Sequence, residues 1–162
     1  VERLDLRTVS AFHEQMQNAN LSADIFSRPD QTELLTRGVM RMLMDLGLSP
    51  LAEFRLANGR RADVAGLDRQ GALTIVEVKS CQADFEADQK WPEYCDFCDQ
   101  FYFAVDPGFP VGLLPESEGL IFADAFGAAI TRPAPVRQVA PARRKAVTLR
   151  FARQAALRAA CA

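Results

Sequence analysis

Arg61-Ala-Asp-Val-Ala-Gly-Leu67 and Leu73-Thr-Ile-Val-Glu-Val-Lys79, joined by Asp68-Arg-Gln-Gly-Ala72, are the segments whose reading decides the fold. Both read as short strands bounded by turn residues. The link suits a three-residue hairpin loop with Gly71 in the left-handed position of a bulge. That loop pairs Asp68 with Ala72, and the same register sets Asp63 against Glu77 and Arg61 against Lys79. Carboxylates so placed have Cβ atoms about 4.5–5.5 Å apart, and like charges at that distance repel. Glu77 and Lys79 are two residues apart, so they share one face of their strand. Leu73 and Ile75 occupy that face too, while Val76 and Val78 fill the other, as on a central strand covered on both sides. The charges therefore stand at the rim of a buried sheet and call for a cation or another compensating partner. A hard ion such as magnesium, which takes oxygen ligands and keeps several waters, meets that need.

Working outward, apolar residues at Leu35, Val39, Met42, Leu43 and Leu46 recur at helical spacing over Gln31–Leu46, and Gly47 supplies a stop. Asp30 is placed to cap this helix with Glu33 at its third position, a capping-box spacing. A strand near Leu51–Leu56 and a turn at Asn58-Gly59 lead into the two central strands. Downstream, Ala83–Asp99 reads as helix that Pro92 must break, kink or restart. The aromatic run Gln100–Val105 predicts a buried strand. A Pro/Gly-rich connection over Asp106–Pro115 precedes a strand at Gly119–Ala125, a turn at Phe126-Gly127 and a hairpin partner at Ala128–Thr131. Arg132–Pro141 is a proline-rich linker, and a basic helix runs from Ala142 to about Ala160. This order predicts an α+β fold, with helices before and after a three-strand meander and a mixed sheet between helical layers. Residues 1–30 read as a peripheral arm and 31–162 as a single domain.

Length and composition fit one globular domain with its own core: 162 residues, 49% apolar and 25% charged. No apolar run approaches a membrane span and the N-terminus lacks a secretory pattern, so a cytoplasmic location with no membrane partner is expected. The net charge of −2 conceals an asymmetry. Residues 132–162 hold eight of the 19 basic residues and none of the 21 acids, which leaves an acidic body with a basic end. Such an end suits contact with a phosphate backbone, through residues such as Arg143, Arg144 and Lys145, or pairing of a solvated helix face with the acidic body. Four cysteines in this setting are expected to be reduced. Cys95 and Cys98 have zinc-like spacing but no second pair, and His13, the lone histidine, is remote, so two buried small residues explain them better than a zinc module.

Metal-assisted hydrolysis of a phosphodiester is the chemistry these residues fit. Asp63 and Glu77, with the backbone carbonyl of Val78, are candidates to hold Mg2+ or Mn2+, and Lys79 to orient or deprotonate a water or neutralise charge at phosphorus. Arg60 and Arg61 border the site and suit phosphate contact. Asp84 and Asp88, near Lys90, read as an ion-pair cluster.

Asp63 with Glu77-Val-Lys79, after a helix bearing Glu33, resembles the PD-(D/E)XK nuclease superfamily, with Ala62 where that pattern has proline. The resemblance implies a restriction-endonuclease-like core and a helix acid at Glu33, with Glu53 on the first strand as competitor. A helix pair in related nucleases falls on Tyr94 with Lys90, or with the adjacent Gln89. Trp91 reads as a packing anchor. The stretches Thr36-Arg37-Gly38, Arg60-Arg61-Ala62-Asp63, Val76-Glu77-Val78-Lys79-Ser80, Asp84-Phe85 through Asp88, Lys90-Trp91-Pro92 and Tyr94, and Pro141 through Lys145 are similar to bacterial MmcB-type DNA repair proteins. That similarity implies a repair role on DNA, either as an endo- or exonuclease or as a non-cleaving DNA- or partner-binding accessory, alongside other repair proteins.

Overall fold

The computed structural model describes residues 28–161. Its elements are helix α1 (Arg28–Asp45), strands β1 (Ser49–Arg55), β2 (Arg61–Leu67) and β3 (Leu73–Lys79), short helices α2 (Gln82–Ala87) and α3 (Pro92–Cys95), strand β4 (Gln100–Val105), strands β5 (Gly119–Ala123) and β6 (Ala128–Arg132), and helix α4 (Pro141–Ala160). The six strands lie in chain order in one sheet. β1–β2, β2–β3 and β5–β6 are antiparallel, whereas β3–β4 and β4–β5 are parallel. The fold is thus α+β with a mixed sheet, as expected, and no helix among the described residues is long and apolar enough to cross a membrane.

Turn chemistry explains the meander. Asp68 N–H donates to the carbonyl of Ala72, Gly71 has φ +84°, and the Asp68 carboxylate accepts from the N–H groups of Gln70 and Ala72. This is the anticipated three-residue loop, and it sets Leu67 against Leu73 and Val64 against Val76. The Asn58-Gly59 turn is a second loop of the same kind. Leu56 N–H donates to Arg60 O, Gly59 has φ +85°, and Arg55 pairs with Arg61.

Every residue of β3 is buried because helices cover both faces. α1 presents Leu35, Val39, Met42 and Leu43 to Val64, Val76, Val78 and Ala104. On the other face α2, α3 and α4 contribute Phe85, Tyr94, Val147 and Phe151 to a core around Ile75, Phe101 and Phe103. Trp91 packs against Phe101 and Phe103 with ring centroids 5.9 and 5.7 Å away, the anchoring role its sequence context suggested. Along β1, Gln154 of α4 accepts from Arg55 N–H (3.0 Å) and donates to Arg55 O (2.8 Å). Arg158 donates to the carbonyls of Ala52 and Glu53.

Three sequence expectations change. α1 begins at Arg28, so the backbone of Asp30 already belongs to its first turn; the side chain expected to cap with Glu33 lies outside what is described. The arm expected over residues 1–30 lies outside the described residues except for 28–30, which belong to α1. The helix expected over Ala83–Asp99 is two short helices, because residues 88–91 are non-helical and Pro92 starts a new one. Lys90 and Tyr94 therefore share no helix face.

Gly38 explains part of the Thr36-Arg37-Gly38 stretch: a Cβ there would collide with the carbonyl oxygens of Asp124 and Gly127. Alanine gains about 1 kcal/mol in helix propensity, but backbone atoms cannot yield cheaply to an overpacked methyl. Overpacking of about 1–3 kcal/mol against that gain leaves Gly38→Ala with an expected net cost of up to about 2 kcal/mol. Urea denaturation checks this, and an unchanged or raised midpoint would refute the tight approach.

Candidate active site

The β2–β3 ladder stops at Val64 and Val76, and carboxylates take over from it. Asp63 N–H donates to Glu77 Oε1 at 3.2 Å, and Val78 N–H donates to Asp63 Oδ2 at 2.8 Å. Asp63 therefore faces Glu77 in the register the loop dictates, and strand N–H groups offset part of the repulsion between them. Each carboxylate spends one oxygen in this exchange; Asp63 Oδ1 and Glu77 Oε2 are not used in it. Lys79 is 5% exposed and Glu77 3%. The Lys79 ammonium lies 3.8 Å from Glu77 Oε2 and 3.2 Å from Asp88 Oδ2.

The electrostatics follow from burial. Glu77 is pushed up to about 8 by loss of water and by Asp63, with Lys79 opposing. Asp63 is also raised, chiefly by burial, against the Val78 N–H, Lys79 and Arg61, while Glu53 adds to the rise. Burial pushes Asp88 the same way, but Lys79, together with the N–H and charge of Lys90, outweighs it and holds Asp88 below the usual carboxylate range. Burial, then Glu77 and Asp63, raises the Tyr94 phenol, which donates to the carbonyl of Arg61 at 3.0 Å.

A third carboxylate belongs to this neighbourhood. In the β1–β2 register Ala52 pairs with Val64 and Phe54 with Ala62, so Glu53 falls opposite Asp63. Neither of these two residues forms a ladder pair, and Glu53 has φ +53°, the sole non-glycine in the left-handed region among the described residues. Such a backbone costs on the order of 1–3 kcal/mol and persists only when its surroundings hold it; here Arg158 binds its carbonyl at 2.7 Å. Leu51 and Phe54, and likewise Ala62 and Ala65, are three apart yet join the same half of the core. Side-chain alternation therefore shifts phase in both strands at the level of Glu53 and Asp63. The Glu53 carboxylate pairs with Arg61 at 2.6 Å, both about half exposed.

Other expected site residues are distributed more widely. Glu33, on the helix covering the opposite sheet face, pairs with Arg37 at 2.5 Å and is exposed. Arg60 makes a bidentate pair with Glu93. Arg61 is engaged by Glu53, and the β2–β3 ladder ends at Val64–Val76, so Arg61 and Lys79 form no ladder pair. Lys90 is exposed, and Gln89 donates to Phe85 O. Asp84 accepts from Ser80, and Asp88 pairs with Lys79 rather than forming a cluster on Lys90. Arg143 binds Asp96 and lies 5.3 Å over the Phe97 ring. Arg144 holds Asp99 through both oxygens and also binds Gly71 O. Lys145 is exposed. Cys98 is buried and Cys95 half-buried, both as free thiols.

Glu53 and Asp88 are the neighbours that the residue pattern underplayed. The second hairpin loop carried the signal for Glu53, since pairing Leu56 with Arg60 places it opposite Asp63. Nothing local signalled Asp88, because an irregular turn after α2 delivers it to Lys79.

As a cation site, the donor set is all oxygen, buried and under-neutralised: Asp63 and Glu77 are both raised beside one lysine. A hard divalent ion fits that chemistry with waters completing its shell. Among the described residues no group of three or more acid, histidine or cysteine side chains is close enough to hold a metal by itself.

A family model described as DNA repair protein MmcB-like matches residues 18–162. A solved structure from Silicibacter pomeroyi, described as a protein of unknown function, is similar at 44% identity with a TM-score of 0.76, covering 83% of this chain and 90% of that one. No curated protein gives a significant match.

Proposed function

The chain belongs to the MmcB-like family of DNA repair proteins, and on that premise we propose that it is a Mg2+- or Mn2+-dependent deoxyribonuclease of the PD-(D/E)XK type. The carrying observation is the reciprocal Asp63–Glu77 exchange with buried Lys79 against it. Asp63 and Glu77, with the Val78 carbonyl, would hold the ion. When bound, the ion stabilises charge on the scissile phosphate and lowers the pKa of a coordinated water. Lys79, held against Glu77 and Asp88, supplies a fixed cation for the attacking water or the developing negative charge. Its buried position holds it on that target, and Asp88 fixes the ammonium at 3.2 Å. Arg61, half exposed and paired with Glu53, would contact an adjacent phosphate once it leaves that partner.

The test is incubation with single-stranded, duplex, flapped and lesion-bearing DNA in Mg2+ or Mn2+. Cleavage by wild type is expected, with loss of about 10²–10³-fold in Asp63→Asn. Binding to DNA with no cleavage on any substrate would instead favour the non-cleaving repair accessory.

A further inference from the structure

Of the eight basic residues in 132–162, the fold itself employs five. Arg132 binds the carbonyls of Glu118 and Pro115, and Arg137 pairs with Glu118. Arg143, Arg144 and Arg158 bind Asp96, Asp99 and the β1 carbonyls. Lys145, Arg150 and Arg153 remain exposed on α4 without an acidic partner among the described residues. α4 carries no acid from Pro141 to Ala160. Arg150 lines two adjoining depressions along the helix, one also bounded by Phe97 and Arg143, the other by Arg153 and Leu157.

We infer that Lys145, Arg150 and Arg153 form a phosphate-backbone track that leads DNA toward Glu53 and Asp63. This rests on the reading that the chain acts on DNA. Lys145 and Arg153 are separated by about 12 Å along the helix axis, a span of three or four charges on one strand at about 3.4 Å per charge. The direction comes from the ends of α4. Arg144 ties its start to Gly71 and Asp99, at the sheet end remote from Lys79, and Arg158 ties its finish to Glu53. A strand lying on the cations between these ties is led to β1 at Glu53, which falls opposite Asp63. Leu149 and Leu157 are also exposed on this helix, at 55% and 65%. They fit a protein partner, but the unpaired charge on an acid-free helix favours a polyanion.

Fluorescence anisotropy of a labelled duplex and a labelled single strand, in EDTA to suppress cleavage, tests the track across about 50–200 mM salt. Arg150→Ala with Arg153→Ala should weaken binding about 10-fold or more and flatten the log–log salt slope by about 1.8, at 0.9 per lost phosphate contact. Leu149→Ser with Leu157→Ser should leave both quantities near wild type; loss of DNA binding there, with the arginine variant unaffected, would overturn the track in favour of an apolar contact. Wild-type affinity and slope in the arginine variant, with wild type binding DNA, would refute the track alone. Failure of wild type to bind any DNA at low salt would refute both the track and the DNA reading. Circular dichroism should show the arginine variant folded, since both side chains project from the exposed face.

Discussion

A Lys79→Met protein is expected to bind DNA as wild type does in EDTA and to cleave it about 10³-fold more slowly with Mg2+ or Mn2+. Methionine keeps the length and buried volume of the side chain but removes the single cation between Glu77 and Asp88. The loss therefore falls on charge at the reaction centre rather than on packing. Removing one partner of a buried pair also destabilises, typically by about 3–5 kcal/mol when the remaining charges cannot escape. Here Glu77 can escape by taking a proton, because its pKa already stands near 8. The stability cost should therefore shrink toward about pH 6, where the variant can be assayed folded. Cleavage within tenfold of wild type would remove Lys79 from the chemistry.

Glu77→Gln is expected to stabilise the protein in EDTA, and increasingly so as pH rises. The folded-state value near 8 lies above the usual 4.5, so between those pH values the folded chain holds a proton that the unfolded chain has lost. Stability of wild type consequently falls as pH rises through that window, and the glutamine, which cannot ionise, is spared the fall. The substituted amide keeps an oxygen able to accept the Asp63 N–H. The gain at about pH 8 should be on the order of 2–4 kcal/mol, and near zero at about pH 5. Urea denaturation at successive pH values measures it, and parallel curves for the two proteins would refute the burial argument. The same variant should lose metal-dependent cleavage, so a group that costs stability would be the one that activity needs.

What was legible beforehand depended on whether the determinant was local. Asp68, Gly71 and Ala72 specify a loop, the loop specifies a register, and the register brings Asp63 to Glu77; each step is short-range physics. The aromatic run at 100–105 and the break at Pro92 are equally local. The start of α1 was missed by three residues, although Pro29 near its beginning is a favoured start signal. Asp88 could not be read from pattern, because its meeting with Lys79 depends on the path of a non-helical turn. The basic tail was ambiguous for another reason: charge says that a partner exists and not which one. Asp96, Asp99 and Glu118 claim Arg143, Arg144 and Arg137, and only the fold reveals that claim.

The bonds from Gln154 and Arg158 to β1 have a consequence for how the sheet ends. β1 is an outer strand, and an outer strand normally offers a row of unpaired N–H and C=O groups on which another chain can add. Gln154 meets the N–H and C=O of Arg55 together, as a neighbouring backbone amide would, and Arg158 occupies the carbonyls of Ala52 and Glu53. Side chains of a helix thus stand in for a seventh strand. The left-handed kink at Glu53 breaks the straight template at the same level. The irregularity that sets Glu53 opposite Asp63 also denies this edge to a second sheet.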